Sequence, residues 1–256
     1  MKKALILVSA IIMATVSAHA QGNDNADDEL VLISYLTDEN RPQATKILPQ
    51  PPSTTGGDFA NDFYYYQWGK EQRKIPEIHD AAIRNDTIKI FKAFSDSLGI
   101  KLSKSKTPEI IKLVETAAAD GRLAVKKAQK HFGRMKPYRK FNEPSLKPTA
   151  EGEQSLKGGL DNSYPSGHAT RGWIYALVLS TVAPERTEQL MNCAQEYAML
   201  RVIMGRHWKS DIDAGLIVAA AIFSNIVVTD AYQEQLVKAR AEYQAIKNRV
   251  KTVTDK

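Results

Sequence analysis

Apolar residues return along this chain at intervals of three and four, and the places where that rhythm fails mark its joints. From Pro108 to Phe132 the positions Ile111, Leu113, Val114, Ala117, Ala118, Leu123, Val125 and Ala128 predict one long amphipathic helix. Pro184 to Met204 carries Leu190, Ala194, Tyr197 and Ala198 at the same spacing, while His168 to Val182 is apolar on most faces. The run AGLIVAAAIFSNIVV (214–228), opened by Asp211 or Asp213, is short of a bilayer span and is interrupted by Ser224 and Asn225. It predicts a central bundle helix and no integral membrane anchor. A charged amphipathic helix follows from Ala231 to about Lys251. Upstream, Asp58 to Arg73 carries Phe59, Phe63, Tyr66 and Trp68, and Pro76, suited to a first helical position, opens a stretch to Leu98 that holds one or two helices. There is little strand signal and no internal repeat. The expected fold is all-α: a single compact helical bundle domain over residues 58–256, preceded by an N-terminal arm.

The breaks are as informative. ILPQPPSTTGG (47–57) cannot be helical, so residues 21–57 read as an arm, acidic from Gly22 to Glu29 and Pro-rich at its end. Arg139 to Asn162 lacks periodicity and predicts a long loop, a length that in compact domains commonly goes with function. Residues 1–20 join a basic start at Lys2 and Lys3, an apolar run from Ala4 to Val16 and the small-residue pattern Ala18-His19-Ala20. That is the pattern of a cleaved signal peptide, and it predicts a periplasmic or secreted protein. With Cys193 as its one cysteine the chain cannot close an internal disulfide, so its stability must come from core packing; Cys193 itself is expected as a small buried apolar residue.

Charge changes the picture through its distribution. The net charge of +6, two of it from Lys2 and Lys3, is too mild to argue for a nucleic-acid partner. Between Arg122 and Lys157, however, ten lysines and arginines face three glutamates. Such a field concentrates anions, although a solvated basic face would look the same in sequence.

Three segments could carry chemistry. In RVIMGRHWKSD (201–211), His207 and Asp211 stand four apart, the separation that places side chains on one face of a helical turn. A carboxylate on one ring nitrogen would leave the other with a free lone pair, a candidate nucleophile or base. A helix-capping Asp beside a satisfied His is the plainer reading of that spacing. In YPSGHAT (164–170), Ser166 suits an N-cap, which would direct the N–H groups of Ser166, Gly167 and His168 at one point, a ready anion site. QKHFGRMKPY (129–138) ends a helix in cations before Pro137 turns the chain. His79 and His131 sit among charged neighbours and read as surface imidazoles. No third His or Cys stands at ligand spacing, so no metal is expected.

Together, in this order, the three segments resemble the signature of the bacterial class A non-specific acid phosphatases, within the superfamily of type 2 phosphatidic acid phosphatases and vanadium haloperoxidases. That signature runs Lys-x6-Arg-Pro, then Pro-Ser-Gly-His, then Ser-Arg-x5-His-x3-Asp. Pro165 to His168 match the second part in full; Arg201, His207 and Asp211 match the third. ILPQPP, YYYQWGKEQR and APERTEQL resemble the family's flanking segments. The chain departs at three places: Lys136 stands for the family's Arg, Gln129 for its Lys and Leu200 for its Ser. The resemblance implies hydrolysis of small phosphate monoesters, nucleotides among the candidates, without metal or cofactor. It implies His207 as the nucleophile oriented by Asp211, His168 as the acid and base, and Lys136, Arg201, Ser166 and Gly167 on the phosphate. Gln129 and Lys130 are secondary phosphate contacts, and Lys126 or Lys130 is a candidate to restore the charge that Gln129 lacks. A homo-oligomer is compatible with it. Two rival readings share the cradle: a vanadate-dependent haloperoxidase-like enzyme, and a degenerate non-catalytic phosphate binder. A lipid phosphatase would need a membrane-facing apolar surface, which the sequence does not reveal.

Overall fold

The computed structural model describes residues 34–87, 90–146 and 162–254. The expected signal peptide, the acidic stretch, and Lys147, Glu151, Glu153 and Lys157 lie outside them. Eleven α-helices occur among the described residues, with no strand. They are α1 (Ala44–Ile47), α2 (Ala60–Gln72), α3 (Pro76–Thr87), α4 (Ile90–Ala93), α5 (Ser95–Leu98), α6 (Pro108–Phe132), α7 (Pro137–Lys140), α8 (Gly167–Val182), α9 (Thr187–Ile203), α10 (Lys209–Ile226) and α11 (Asp230–Thr254).

Helix α8 is the axis. It packs against α6, α9 and α10, and Ile174, Tyr175, Val178, Leu179 and Val182 are buried along it. A helix enclosed on nearly every side needs no polar face, which is why its sequence shows no stripe. Each such side chain, moved out of water, contributes about 1.5–3 kcal/mol.

Helix α6 spans the range its periodicity predicts because both ends are chemically marked. Pro108 opens it, and Gly133 closes it in the left-handed region at φ 57°, donating its N–H to the Gln129 carbonyl. Thr107 precedes the helix but does not cap it with its side chain. The Glu242 carboxylate, reaching over from α11, accepts from the N–H groups of Glu109 and Ile110 at 3.3 and 3.0 Å. A carboxylate there also suits the positive end of the helix dipole.

The described part of the arm, from Ser34, is built into the bundle. Leu36, Ala44 and Leu48 are buried in the main core, and Arg41 joins Asp120 of α6 at 3.2 Å. Asp120 is fully buried and also accepts the Tyr35 N–H at 2.9 Å. The stretch from Pro76 to Leu98, expected to hold one or two helices, holds three among the described residues, the last ended by Gly99 at φ 77°. The expected loop after Arg139 begins slightly late, because Pro137 starts the turn α7 first. Cys193 is only partly buried, with its Sγ 3.5 Å from the Ala93 carbonyl oxygen.

One close approach sets the position of the site. Helix α10 crosses the first turn of α8 at Gly215, where an added Cβ would lie 3.1 Å from the Ser166 carbonyl oxygen and 3.1 Å from the Thr170 nitrogen. A side chain there would force the two helices apart at their functional ends.

Candidate active site

The site is assembled from helix starts and helix ends. Ser166 is the N-cap of α8, its hydroxyl accepting the Ala169 N–H at 3.2 Å, as its place in the turn predicts. Its own N–H is not available to an anion, which corrects one part of the expected cradle. That N–H donates to the Asp211 carbonyl at 2.9 Å, stitching α8 to α10. Among the described residues the N–H groups of Gly167 and His168 meet no acceptor, as is normal for the first turn of a helix.

His207 precedes α10, which begins at Lys209, ahead of both expected starts, Asp211 and Asp213. The four-residue separation from Asp211 therefore spans a turn into the helix rather than a turn of the helix itself. The nearer partner of His207 Nδ1 is the Ser163 carbonyl at 2.9 Å; Asp211 Oδ2 lies at 3.3 Å. A carbonyl can only accept, so Nδ1 holds the hydrogen and Nε2 keeps its lone pair.

Asp211 serves mainly as the centre of a buried network. Its Oδ2 accepts the Ser163 hydroxyl at 2.5 Å and the Trp208 N–H at 2.8 Å, while Oδ1 accepts from Arg134 Nη1 at 2.7 Å. Burial pushes the carboxyl upward; Arg134, Ser163 and Trp208 oppose that. Donors converging on both oxygens are the environment of an ionised carboxylate. Arg134 also meets Asp62 of α2 at 2.6 Å, and Asp62 in turn accepts the N–H and hydroxyl of Ser210 at 2.8 and 2.6 Å. Sequence reasoning counted Arg134 among the basic residues and missed this role, and it missed Asp62 and Ser163 altogether.

His168 lies on the other side. Its Nε2 meets Asn85 Oδ1 at 2.8 Å, and its ring stacks on Tyr197 with centroids 4.2 Å apart and planes 6° from parallel. Arg201, 5% exposed in the last turn of α9, gives Nη1 to Asp86 at 2.6 Å; its buried Nε has no hydrogen-bond partner among the described residues. The charge of Arg201 bears on both imidazoles, and a proton on His207 would disfavour one on His168. Lys136, at the N-cap of α7, acts on His207. Leu200, at the place of the family's Ser, packs into a small apolar cluster with Ile203 and Met204.

A cavity of about 430 Å³ opens beside this constellation, lined by Gly167, His168, Gln129, Lys126, Arg122, Arg171 and Glu115 over an apolar floor that includes Ala118 and Val125. His207, 6% exposed, does not line it. Gln129 gives its Nε2 to the Pro165 carbonyl at 2.9 Å, so it braces the Pro-Ser-Gly-His turn. Lys126 lines the cavity and Lys130 does not, which places Lys126 better to supply the charge that Gln129 lacks. Among the described residues no group of three His, Cys, Asp or Glu side chains is arranged to hold a metal ion.

Burial, reinforced by Arg201, holds the His168 ring well below the ordinary 6.5; burial, reinforced by Lys136 and Arg201, does the same for His207. The consequence for stability has a definite sign. As pH falls below about 6.5 the unfolded chain protonates these side chains while the folded chain resists, so their contribution is whole above that pH and declines beneath it. A thermal midpoint lower at about pH 6 than at about pH 7.5 is expected, and an unchanged or higher one would contradict the burial of neutral rings.

Residues 111–234 match the PAP2 superfamily. The chain is 32% identical to a non-specific acid phosphatase of Providencia stuartii over 216 residues, 83% of this chain and 86% of that one. It is 35% identical to a non-specific acid phosphatase of Salmonella typhi over 198 residues, 76% and 78% of the two chains. Two imidazoles at helix starts sharing one arginine, on a chain so closely related over most of its length, leave one conclusion: it belongs to the bacterial non-specific acid phosphatases of the PAP2 superfamily and is a phosphoric monoester hydrolase.

Proposed function

We propose that the chain hydrolyses small phosphate monoesters, nucleotides among them, through a phosphohistidine on His207. The observation that carries this reading is the bond from His207 Nδ1 to the Ser163 carbonyl, which leaves Nε2 as a lone pair on a ring whose proton affinity is lowered by burial and then by Lys136 and Arg201. That lone pair attacks phosphorus, the ester P–O bond breaks, and the departing oxygen takes a proton from His168. Water then passes a proton to His168 as its oxygen attacks phosphorus, and the N–P bond breaks to release phosphate. Arg201, Lys136 and the N–H groups of Gly167 and His168 hold the equatorial oxygens, where charge builds in the transition state. These cations supply the positive charge, so no metal is needed. The basic start, apolar run and small-residue site at residues 1–20 support export to the periplasm or beyond.

His168 must be protonated to act as the acid although its environment lowers its proton affinity. A phosphate dianion beside it offsets part of that effect, and acid pH supplies the rest. The expected rate profile is therefore displaced to the acid side of neutrality, falling as His168 loses its proton.

The direct test is trapping. Enzyme mixed with a labelled monoester and quenched in alkaline detergent, where phosphoramidates survive, is expected to carry label on His207, with none in His207→Ala. A metal chelator is expected to leave the rate within about twofold. Absence of the label, or loss of activity with chelator and its return with a divalent ion, would overturn the scheme. Phosphate binding without turnover would mark a degenerate binder instead.

A further inference from the structure

The last turn of α3 reaches the reaction centre through two adjacent residues. Asp86 takes Arg201, and Asn85, 5% exposed, takes His168. We propose that Asn85 is a positioning residue that fixes the tautomer of His168, placing the resting hydrogen on Nε2 and leaving Nδ1 as the atom that passes the proton. This rests on the reading of His168 as the acid and base.

The orientation of the Asn85 amide follows from its second partner. Asn85 Nδ2 lies 3.4 Å from the Tyr197 carbonyl oxygen. Turned over, the amide would set its oxygen against that carbonyl and its NH₂ against His168, bringing two acceptors together. Oδ1 therefore faces Nε2 at 2.8 Å, and an amide oxygen can be met only by an N–H. The ring lies flat against Tyr197, and a half-turn within that plane would put carbon Cε1 in place of Nε2 and forfeit the bond to Asn85.

The neutrality of Asn85 matters as much as its geometry. The charged and titratable groups that face His168 are Arg201 from α9, His207 before α10, Asp86 from α3 and Arg171 from its own helix, while Lys104 and Glu115 line the adjoining cavity of about 410 Å³. Asn85 fixes the hydrogen without adding a negative charge to stabilise the imidazolium. A carboxylate in its place would hold the proton that the reaction must release.

The experiment uses protein labelled with ¹⁵N at histidine, read by long-range proton–nitrogen correlation. In the wild-type protein near pH 8, His168 is expected as the Nε2–H tautomer. An Nδ1–H tautomer there overturns the proposal without need of any variant. In Asn85→Leu the tautomers are expected to mix and kcat to fall by about 10- to 100-fold, with KM changed less than about threefold. In Asn85→Asp the His168 titration midpoint and the alkaline limb of kcat are expected to move up together by about one pH unit or more. A limb that stays in place while Asn85→Asp remains folded also overturns it. Failure to trap phosphate on His207 would refute the reaction scheme instead, and the tautomer would still be decided by the resonances.

Discussion

His207→Ala is expected to lower kcat by roughly four orders of magnitude, while Asp211→Asn lowers it by only about 10- to 100-fold. The first loss follows from the proposed reaction, in which no covalent intermediate can form without Nε2. The second follows from geometry. Where a carboxylate alone sets the tautomer of a catalytic imidazole, replacing it by an amide lets the ring bind the wrong way and costs about 10⁴. Here the Ser163 carbonyl, at 2.9 Å against 3.3 Å for Asp211, holds the hydrogen on Nδ1. Asp211→Asn leaves that carbonyl in place; it removes the negative charge that steadies the imidazolium and turns one acceptor oxygen of the network with Arg134, Ser163 and Trp208 into a donor. Steady-state rates on a chromogenic monoester, with folding checked by circular dichroism, decide the matter. Equal losses in the two variants would mean that the carboxylate, not the carbonyl, sets the ring.

Arg134→Met is expected to destabilise the protein by about 3–5 kcal/mol. Arg134 is buried between two buried carboxylates, Asp62 and Asp211, at 2.6 and 2.7 Å, and its guanidinium carbon lies 5.4 Å from the Trp208 ring centroid. Removing it strands both negative charges away from water, and that penalty greatly exceeds the loss of a surface ion pair, worth at most about 1 kcal/mol. Urea unfolding would measure it, and a change below about 1 kcal/mol would show that the network is solvated in practice. Adding Asp62→Asn is expected to recover part of the loss by removing one stranded charge. Non-additivity of that kind identifies a shared network rather than two separate defects.

Much of this was legible in advance where the determining groups are side chains close in sequence. Pro108 and Gly133 bracket α6, and Ser166 caps α8 where the turn chemistry places a cap. His168, His207 and Asp211 stand out because an imidazole beside a tight turn or a carboxylate is chemically conspicuous. What was not legible depends on main chain or on distance. The Ser163 carbonyl carries no residue signature, and the Ser166 N–H is taken by an Asp211 carbonyl 45 positions downstream. Asn85 and Asp86 look like ordinary polar residues near a helix end until folding brings α3 against α9. Arg134 is one cation in a basic stretch, and only its burial, with Asp62 72 residues upstream, sets it apart.

The bond from the Ser166 N–H to the Asp211 carbonyl ties the turn that carries His168 to the helix start that follows His207. The separation of the two imidazoles proposed to react is thus tied to how α8 and α10 lie together. On heating, loss of activity and loss of tertiary structure should coincide in one transition, without an earlier, softer stage of inactivation.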